Sequence, residues 1–490
     1  CQHGHPPAAI GAGSVSLPFS LAGSDGLALS DGAVGDLSFV ELAARLDQLD
    51  AVLAEKEPER PIGIVGDNAV AWVLADLALL SAGRCAVPVP AFFTRDQVTH
   101  LVAVTGIEQV FLDGHLLPVR QVFSYLPAVD ASIPRLTLPP GTQKITFTSG
   151  TTGNPKGVCL TSSQQMATVN GLAGVLGEVG ISRHLCLLPL AVLLENIAGI
   201  YVPLSLGAHC IVPSLAEVGL SGSSSFDVVR CLDAIVRYRA ESVILLPQML
   251  QAIVSQAEPN DARLASLKFV AVGGGATPVS VLRQAAAIGL PVFEGYGLSE
   301  CASVISLNAP GAHRIGTVGK PLPGVAVRLA TDGEIEVRGR GYAGLLGEAP
   351  LPAQSWLATG DLGSIDGDGF LHLTGRKKNV LITSFGRNVS PEWPEGLLME
   401  SGLLAQVVVT GDGEASLGAV LVPISPLVDE QRLATLVAEV NERLPDYAQI
   451  KRWVRSSEAF TPANGLATVN GRPRRDAIAQ RFNMSCQTVA

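Results

Sequence analysis

Two spacings of apolar residues alternate along the first third of the chain. Ser38 and Glu41 have the spacing of a capping box, and Leu42, Leu46, Leu49 and Leu53 follow on one helical face. Pro61 then opens a short apolar run over 62–65 that predicts a buried strand. Residues 68–80 return to helical spacing through Val70, Val73, Leu74, Leu77 and Leu80. Residues 86–89 and 110–112 continue the strands, and strand–helix alternation of this kind predicts βαβ units and a parallel sheet. A proline-rich passage over 134–141 closes this first lobe. Beyond it, strands are expected at 185–189, 209–213, 242–246 and 269–272, with a flexible loop at 221–225 and a helix over 228–240.

From about Gly316 the pattern changes. Residues 325–329 and 334–337 flank Asp332-Gly333, and residues 363–365 and 370–373 flank a turn at 366–369, so two antiparallel hairpins are expected. The last segment predicts strands at 407–409 and 419–422 and a helix over 430–444, a compact α+β lobe of about 110 residues. The expected fold class is α/β: a large N-terminal region of doubly wound sheets with a small antiparallel section, followed by a small α+β domain.

Composition bounds this picture. A chain of 490 residues exceeds one ordinary core. Charged residues make up only 16%, and the net charge of −10 argues against a general nucleic-acid binder. The mean hydropathy of +0.35 raises the question of a membrane. No apolar run reaches the eighteen or so uncharged residues that a span requires, which leaves peripheral membrane contact or an apolar substrate tunnel. The eight cysteines are scattered without a C-x-x-C, as expected of reduced cytoplasmic thiols rather than of disulfides or a zinc site. Residues 1–14, with Cys1, His3 and His5, are expected to be a disordered leader.

The densest chemistry lies between an apolar lead-in, Ile145 and Phe147, and an apolar return at Val158. It comprises Thr148, Ser149, Gly150, Thr151, Thr152, Gly153 and Lys156. Glycine-exposed amides, hydroxyls and one cation form an anion site suited to a polyphosphate. A Walker loop needs Gly-Lys-Ser/Thr, whereas Pro155 precedes and Gly157 follows Lys156 here, so that reading fails. Gly273, Gly274 and Gly275 end a strand where a flat ring or phosphate approaches the backbone. Gly295, Tyr296, Gly297, Ser299 and Glu300 form a second run, in which an acid replaces the third glycine of a dinucleotide fingerprint.

Together these runs resemble the adenylate-forming superfamily of acyl-CoA synthetases, luciferases and peptide-synthetase adenylation domains, in particular the fatty acyl-CoA synthetases. The resemblance spans about residues 38–475. It implies that Thr148–Lys156 and Ser299 bind the phosphates of ATP, and that Gly274, Gly275, Gly295, Tyr296 and Gly297 surround the adenine. It implies that Asp361 and Arg376 bind the ribose and that Glu300 holds Mg²⁺, a hard cation that takes one or two protein carboxylates. Lys378 falls at the hinge, so residues 1–375, 376–378 and 379–490 are expected as N-terminal domain, hinge and mobile C-terminal domain. Gly386 lies in the segment that lines the thiol passage. Residues 188–195 resemble the acyl-pocket segment, with Val192 where many members carry histidine.

One residue departs from the pattern. Arg472 stands where most members carry the lysine that reaches the substrate carboxylate and the α-phosphate. A planar fork replaces a compact ammonium, so three outcomes stay open: Arg472 does the work, Lys451 substitutes, or adenylation is slow. Lys156, Glu300 and Arg472 are the candidate catalytic residues. The expected function is ATP-dependent activation of a fatty or other apolar acid and transfer to CoA or to the phosphopantetheine thiol of an acyl carrier protein. The alternatives are a nucleotide-binding homologue with weak adenylation, or a ligase with a non-thiol acceptor.

Overall fold

The computed structural model describes residues 17–19, 21, 26–32, 35–55, 60–126, 137–148, 155–221, 225–339, 341–352, 355–385, 387–468 and 471–484. Two large mixed sheets carry the first two thirds of the chain. In the seven-stranded sheet, Ile62–Val65 is flanked in parallel by Ala86–Pro88 and Gln109–Leu112. Thr142–Thr148 then joins parallel to Ala86–Pro88, and Lys156–Thr161 returns antiparallel. The nine-stranded sheet runs in parallel through Leu27–Ser30, His209–Ile211, Arg183–Leu185, Ser242–Leu245, Phe269–Val272 and Val292–Leu298, with antiparallel strands at both edges. The expected doubly wound region is therefore two sheets.

Of the helices that join their shared core, Val70–Ser81 is apolar almost all round. Val70–Ser81 buries both its aliphatic faces, as a helix covered on two sides must. Phe39–Ala54 begins at the expected capping box, and Ser162–Leu176 begins at a second one made by Thr161 and Gln164. These helices share one core with Ile62 and Ile64 of the first sheet and Leu29, Phe269 and Phe293 of the second. Among the described residues no helix is long and apolar enough to cross a membrane.

The four-stranded antiparallel section pairs Ala326–Leu329, Glu334–Arg338, Leu357–Ile365 and Leu371–Arg376. After it, Leu404–Thr410, Leu417–Pro423 and Ile450–Arg455 form a three-stranded sheet that shares a separate core with Leu398 of helix Glu392–Met399 and with Leu433, Leu436 and Val440 of helix Glu430–Glu442.

Several boundaries differ from expectation for local reasons. The strand expected over 185–189 ends at Leu185 because side chains take the next backbone groups. The amide of Leu188 donates to Glu195 Oε2, and Asn68 both donates to the Leu188 carbonyl and accepts from the Leu190 amide. The strand expected from 363 starts at Leu357, so Asp361 lies within a paired strand and not in a turn. The third C-terminal strand, Ile450–Arg455, was not expected, because Lys451 and Arg452 break its apolar run. The centre of the loop expected at 221–225 (222–224) and the leader 1–14 lie outside the described residues.

Candidate active site

Strand Phe269–Val272 opens at its carboxyl end into the glycines at 273–275, and Gly295 and Gly297 lie within the neighbouring parallel strand Val292–Leu298. Gly274 has φ +80°, a conformation that a side chain rarely adopts, and its carbonyl faces the cleft. Gly297 is required by close approach: a Cβ there would lie 1.7 Å from the Ser303 carbonyl oxygen. The register shifts at Tyr296/Gly297, and the turn Ser299–Cys301 follows. Ala302 (φ 53°) and Ser303 (φ 88°) then hold positive φ without being glycine. Local strain of this kind persists only where the surroundings enforce it. It sits immediately after Glu300.

Antiparallel pairing sets Asp361 opposite Arg376. Arg376 Nε lies 2.6 Å from Asp361 Oδ1, and the Tyr296 hydroxyl donates to Oδ2 at 2.6 Å. Tyr296 and Asp361 are buried. Burial pushes the Tyr296 phenol well above its ordinary value and the Asp361 carboxylate adds to this, so the hydroxyl remains a donor. Three residues from two distant segments thus form one polar ledge beside the glycine loops.

Arg472 reaches this ledge from the C-terminal segment. Its loop is closed by the Thr468 amide donating to the Arg472 carbonyl at 2.8 Å. Arg475 fastens it to the small domain through Glu395 Oε2 at 3.1 Å and the Val409 carbonyl at 2.8 Å. Arg472 Nη2 then lies 3.5 Å from the Gly274 carbonyl oxygen. Desolvation in the cleft, with Arg376 nearby, lowers the proton affinity of its guanidinium, while Asp361 and Glu300 oppose this. Lys378 is lowered by desolvation first and then by Arg376 and Arg472. Lys451 is placed otherwise, with its ammonium on Gln449 Oε1 at 2.6 Å.

Thr148 and Lys156 are cross-strand partners that flank residues 149–155 in the chain. Ser149, Gly150, Thr151, Thr152 and Gly153 lie outside the described residues, as does Gly386. The strand that Lys156 begins packs against the Ser299–Cys301 turn that carries Glu300. Among the described residues neither Glu300 nor Lys156 has an ion-pair partner. A carboxylate and an ammonium left unpaired at one opening fit a magnesium–polyphosphate.

Glu294 directly precedes Gly295 in the same strand. It is buried and accepts a hydrogen bond from the Thr277 amide at 3.2 Å, which ties the glycine loop to the next strand and delays the following helix to Val279. Burial pushes its carboxyl up to about 7, against the Thr277 hydrogen bonds. Between about pH 4.5 and pH 7 the unfolded chain has released this proton while the folded chain keeps it. Stability therefore falls as pH rises through that window, by at most about 1.4 kcal/mol per pH unit. Glu294→Gln keeps an acceptor for Thr277 and should flatten this dependence in denaturant titrations. An unchanged pH profile would refute the assignment.

Residues 188–195 are pinned at both ends by Asn68 and Glu195, leaving Val192 and Leu194 half-buried. Leu194, Ala198 and Ala271 pack against both the inter-sheet core and the core behind the nine-stranded sheet. All three are aliphatic and half-buried.

The sequence and the fold have known counterparts. Residues 22–347 match the AMP-binding enzyme family and residues 378–488 match the AMP-binding enzyme C-terminal domain. The chain is 27% identical to a long-chain-fatty-acid–CoA ligase, FadD15, of Mycobacterium bovis, over 85% of this chain and 86% of that protein. It is 30% identical to an indoleacetate–CoA ligase of Aromatoleum aromaticum, over 69% and 66%. The fold superposes on the anthranilate–CoA ligase AuaEII in complex with anthranoyl-AMP with a TM-score of 0.75 at 18% identity, covering 93% of this chain and 94% of that one. It also superposes on the Bacillus subtilis o-succinylbenzoate–CoA synthetase in complex with ATP and magnesium, with a TM-score of 0.73 at 22% identity over 92% and 96%. The chain belongs to the AMP-binding enzyme family and is an acid–thiol ligase of the AMP-forming class.

Proposed function

We propose that the protein adenylates an apolar, fatty-type carboxylic acid with ATP and transfers the acyl group to the thiol of CoA. The observation that carries this reading is Arg472. A residue of the C-terminal segment reaches the Gly274 carbonyl beside the Tyr296–Asp361–Arg376 ledge, as closure over an acyl-adenylate requires.

In the first step a carboxylate oxygen attacks the α-phosphorus, the bond to the β-phosphate oxygen breaks, and pyrophosphate leaves. Asp361 accepts from the ribose hydroxyls, held in orientation by Tyr296 and Arg376. Arg472 supplies fixed positive charge where the carboxylate and the α-phosphate meet, the kind of preorganised stabilisation that lowers such barriers most. Thr148 and Lys156, with the loop between them, and Ser299 hold the leaving phosphates. Glu300 is the residue that would hold Mg²⁺, which supplies charge neutralisation on the phosphate oxygens. The glycine loop held by Glu294 positions the adenine against backbone.

In the second step the thiol sulfur attacks the acyl carbonyl, AMP leaves with the bonding pair, and the thiol proton passes to solvent or base. Residues 376–378, with Lys378 at their end, serve as the hinge that lets the small domain withdraw Arg472 and admit the thiol along the segment containing Gly386. The half-buried aliphatic side chains of Leu194, Ala198 and Ala271 favour an apolar acyl group.

Incubation with ATP, Mg²⁺, CoA and a panel of fatty and aryl acids, read by mass spectrometry, tests the assignment. The expected products are AMP and an acyl-CoA thioester. Acyl-adenylate accumulating with CoA unconsumed, or transfer only to a carrier-protein phosphopantetheine, would refute CoA as the acceptor.

A further inference from the structure

Three side chains with metal-ligating atoms converge in the core, away from the ledge just described. His184, Cys186 and Glu195 are all buried, and their ligand atoms lie within 4.8 Å of one another. His184 sits within the strand Arg183–Leu185 and Cys186 lies two residues further on, just past its end. Glu195 opens a π-helical segment, Glu195–Tyr201, of the wider winding often found at functional sites. We propose that these three residues hold a structural transition-metal ion, for which the donor set points to Zn²⁺.

The geometry supports this from four sides. His184 Nε2 and Glu195 Oε1 are 3.1 Å apart, and Cys186 Sγ is 3.8 Å from the Gly199 carbonyl oxygen. Ligands at ordinary zinc distances and tetrahedral angles are separated by about 3.3 Å for N and O and about 3.6 Å for S and O. The His184–Glu195 pair is therefore spaced as two ligands of one ion, and the Cys186 thiol lies beside it with the Gly199 carbonyl as its neighbour. The other ring nitrogen, His184 Nδ1, is 2.8 Å from Ser242 Oγ, the outer hydrogen bond that fixes the tautomer of a metal-bound histidine. The second carboxylate oxygen, Glu195 Oε2, is engaged by the Leu188 amide, so Oε1 is the oxygen turned toward His184 Nε2.

Space and charge agree. A Cβ at Gly199 would sit 2.4 Å from Glu195 Oε1 and 2.8 Å from His184 Nε2, so only glycine lets the helix pass this close to the pair. Among the described residues the only ion-pair partner of Glu195 is His184. A thiolate, a carboxylate and a neutral imidazole around a divalent cation form a neutral unit, which removes the penalty of a buried charge. A nucleophilic Ser242–His184–Glu195 relay is excluded, because all three side chains are buried and no substrate reaches Ser242. The ion would brace the 188–195 segment against the sheet.

The test uses the untagged full chain expressed in zinc- or cobalt-supplemented medium. Elemental analysis should give about one equivalent of metal per chain, and the cobalt form should show an intense near-ultraviolet thiolate-to-metal band. Cys186→Ser should lose that band while the protein stays folded, and His184→Gln should lose most of the metal. Folded wild-type protein with less than about a tenth of an equivalent, or a cobalt spectrum unchanged in Cys186→Ser, would overturn the site.

Discussion

Arg472→Ala is expected to reduce acid-dependent ATP–pyrophosphate exchange by about 10²–10³-fold, the effect of removing one donor from a charge-stabilising site. Folding should be nearly untouched, within about 0.5 kcal/mol. Arg472 makes one 3.5 Å contact across the cleft, whereas the loop itself is anchored by Thr468 and by the Arg475–Glu395 pair. Arg472→Lys tests the other side of the same claim. The guanidinium reaches the Gly274 carbonyl while it feels the charges of Asp361 and Glu300, so a shorter point charge should also lose activity, though less than alanine. A large gain with lysine would mean that the arginine impairs adenylation and that the chain is a weakened homologue.

The second large effect concerns stability. Lys144 is buried in the strand that ends at Thr148. Its ammonium lies 2.9 Å from Asp76 Oδ1 and 2.8 Å from the Tyr201 hydroxyl, and it also donates to Asn196. The Tyr201 hydroxyl and Asn196 Nδ2 donate in turn to Asp76 Oδ2 at 2.6 and 2.7 Å. Burial lowers the proton affinity of Lys144 and Asp76 opposes this, so the charged form depends on its partner. Lys144→Met strands the Asp76 carboxylate in the core and should destabilise by about 3–5 kcal/mol. Asp76→Asn should cost about as much, and the double variant should lose clearly less than the sum. Additive losses below about 1 kcal/mol each would show that the cluster is not coupled. Because this strand leads directly into the phosphate-type loop, surviving single variants should also bind ATP more weakly.

The reach of the sequence follows from what each feature depends on. Helix Phe39–Ala54 and strands Ile62–Val65 and Phe269–Val272 were legible because capping and apolar spacing are local. Asp361 and Arg376 were named from motifs, yet their pairing with Tyr296 rests on sheet register, which no single segment encodes. Glu294 and Asn68 went unread because their partners are backbone groups of other segments. His184, Cys186 and Glu195 escaped for a related reason. Zinc sites announce themselves by close cysteine spacing, and here a π-helical turn supplies the third ligand.

The most direct test of the central claim is carboxylate-dependent exchange of labelled pyrophosphate into ATP by the purified chain. The account predicts exchange that requires Mg²⁺, rises with fatty or other apolar acids, and falls to background in Arg472→Ala. A folded, ATP-binding protein that shows no exchange across a broad acid panel would contradict it.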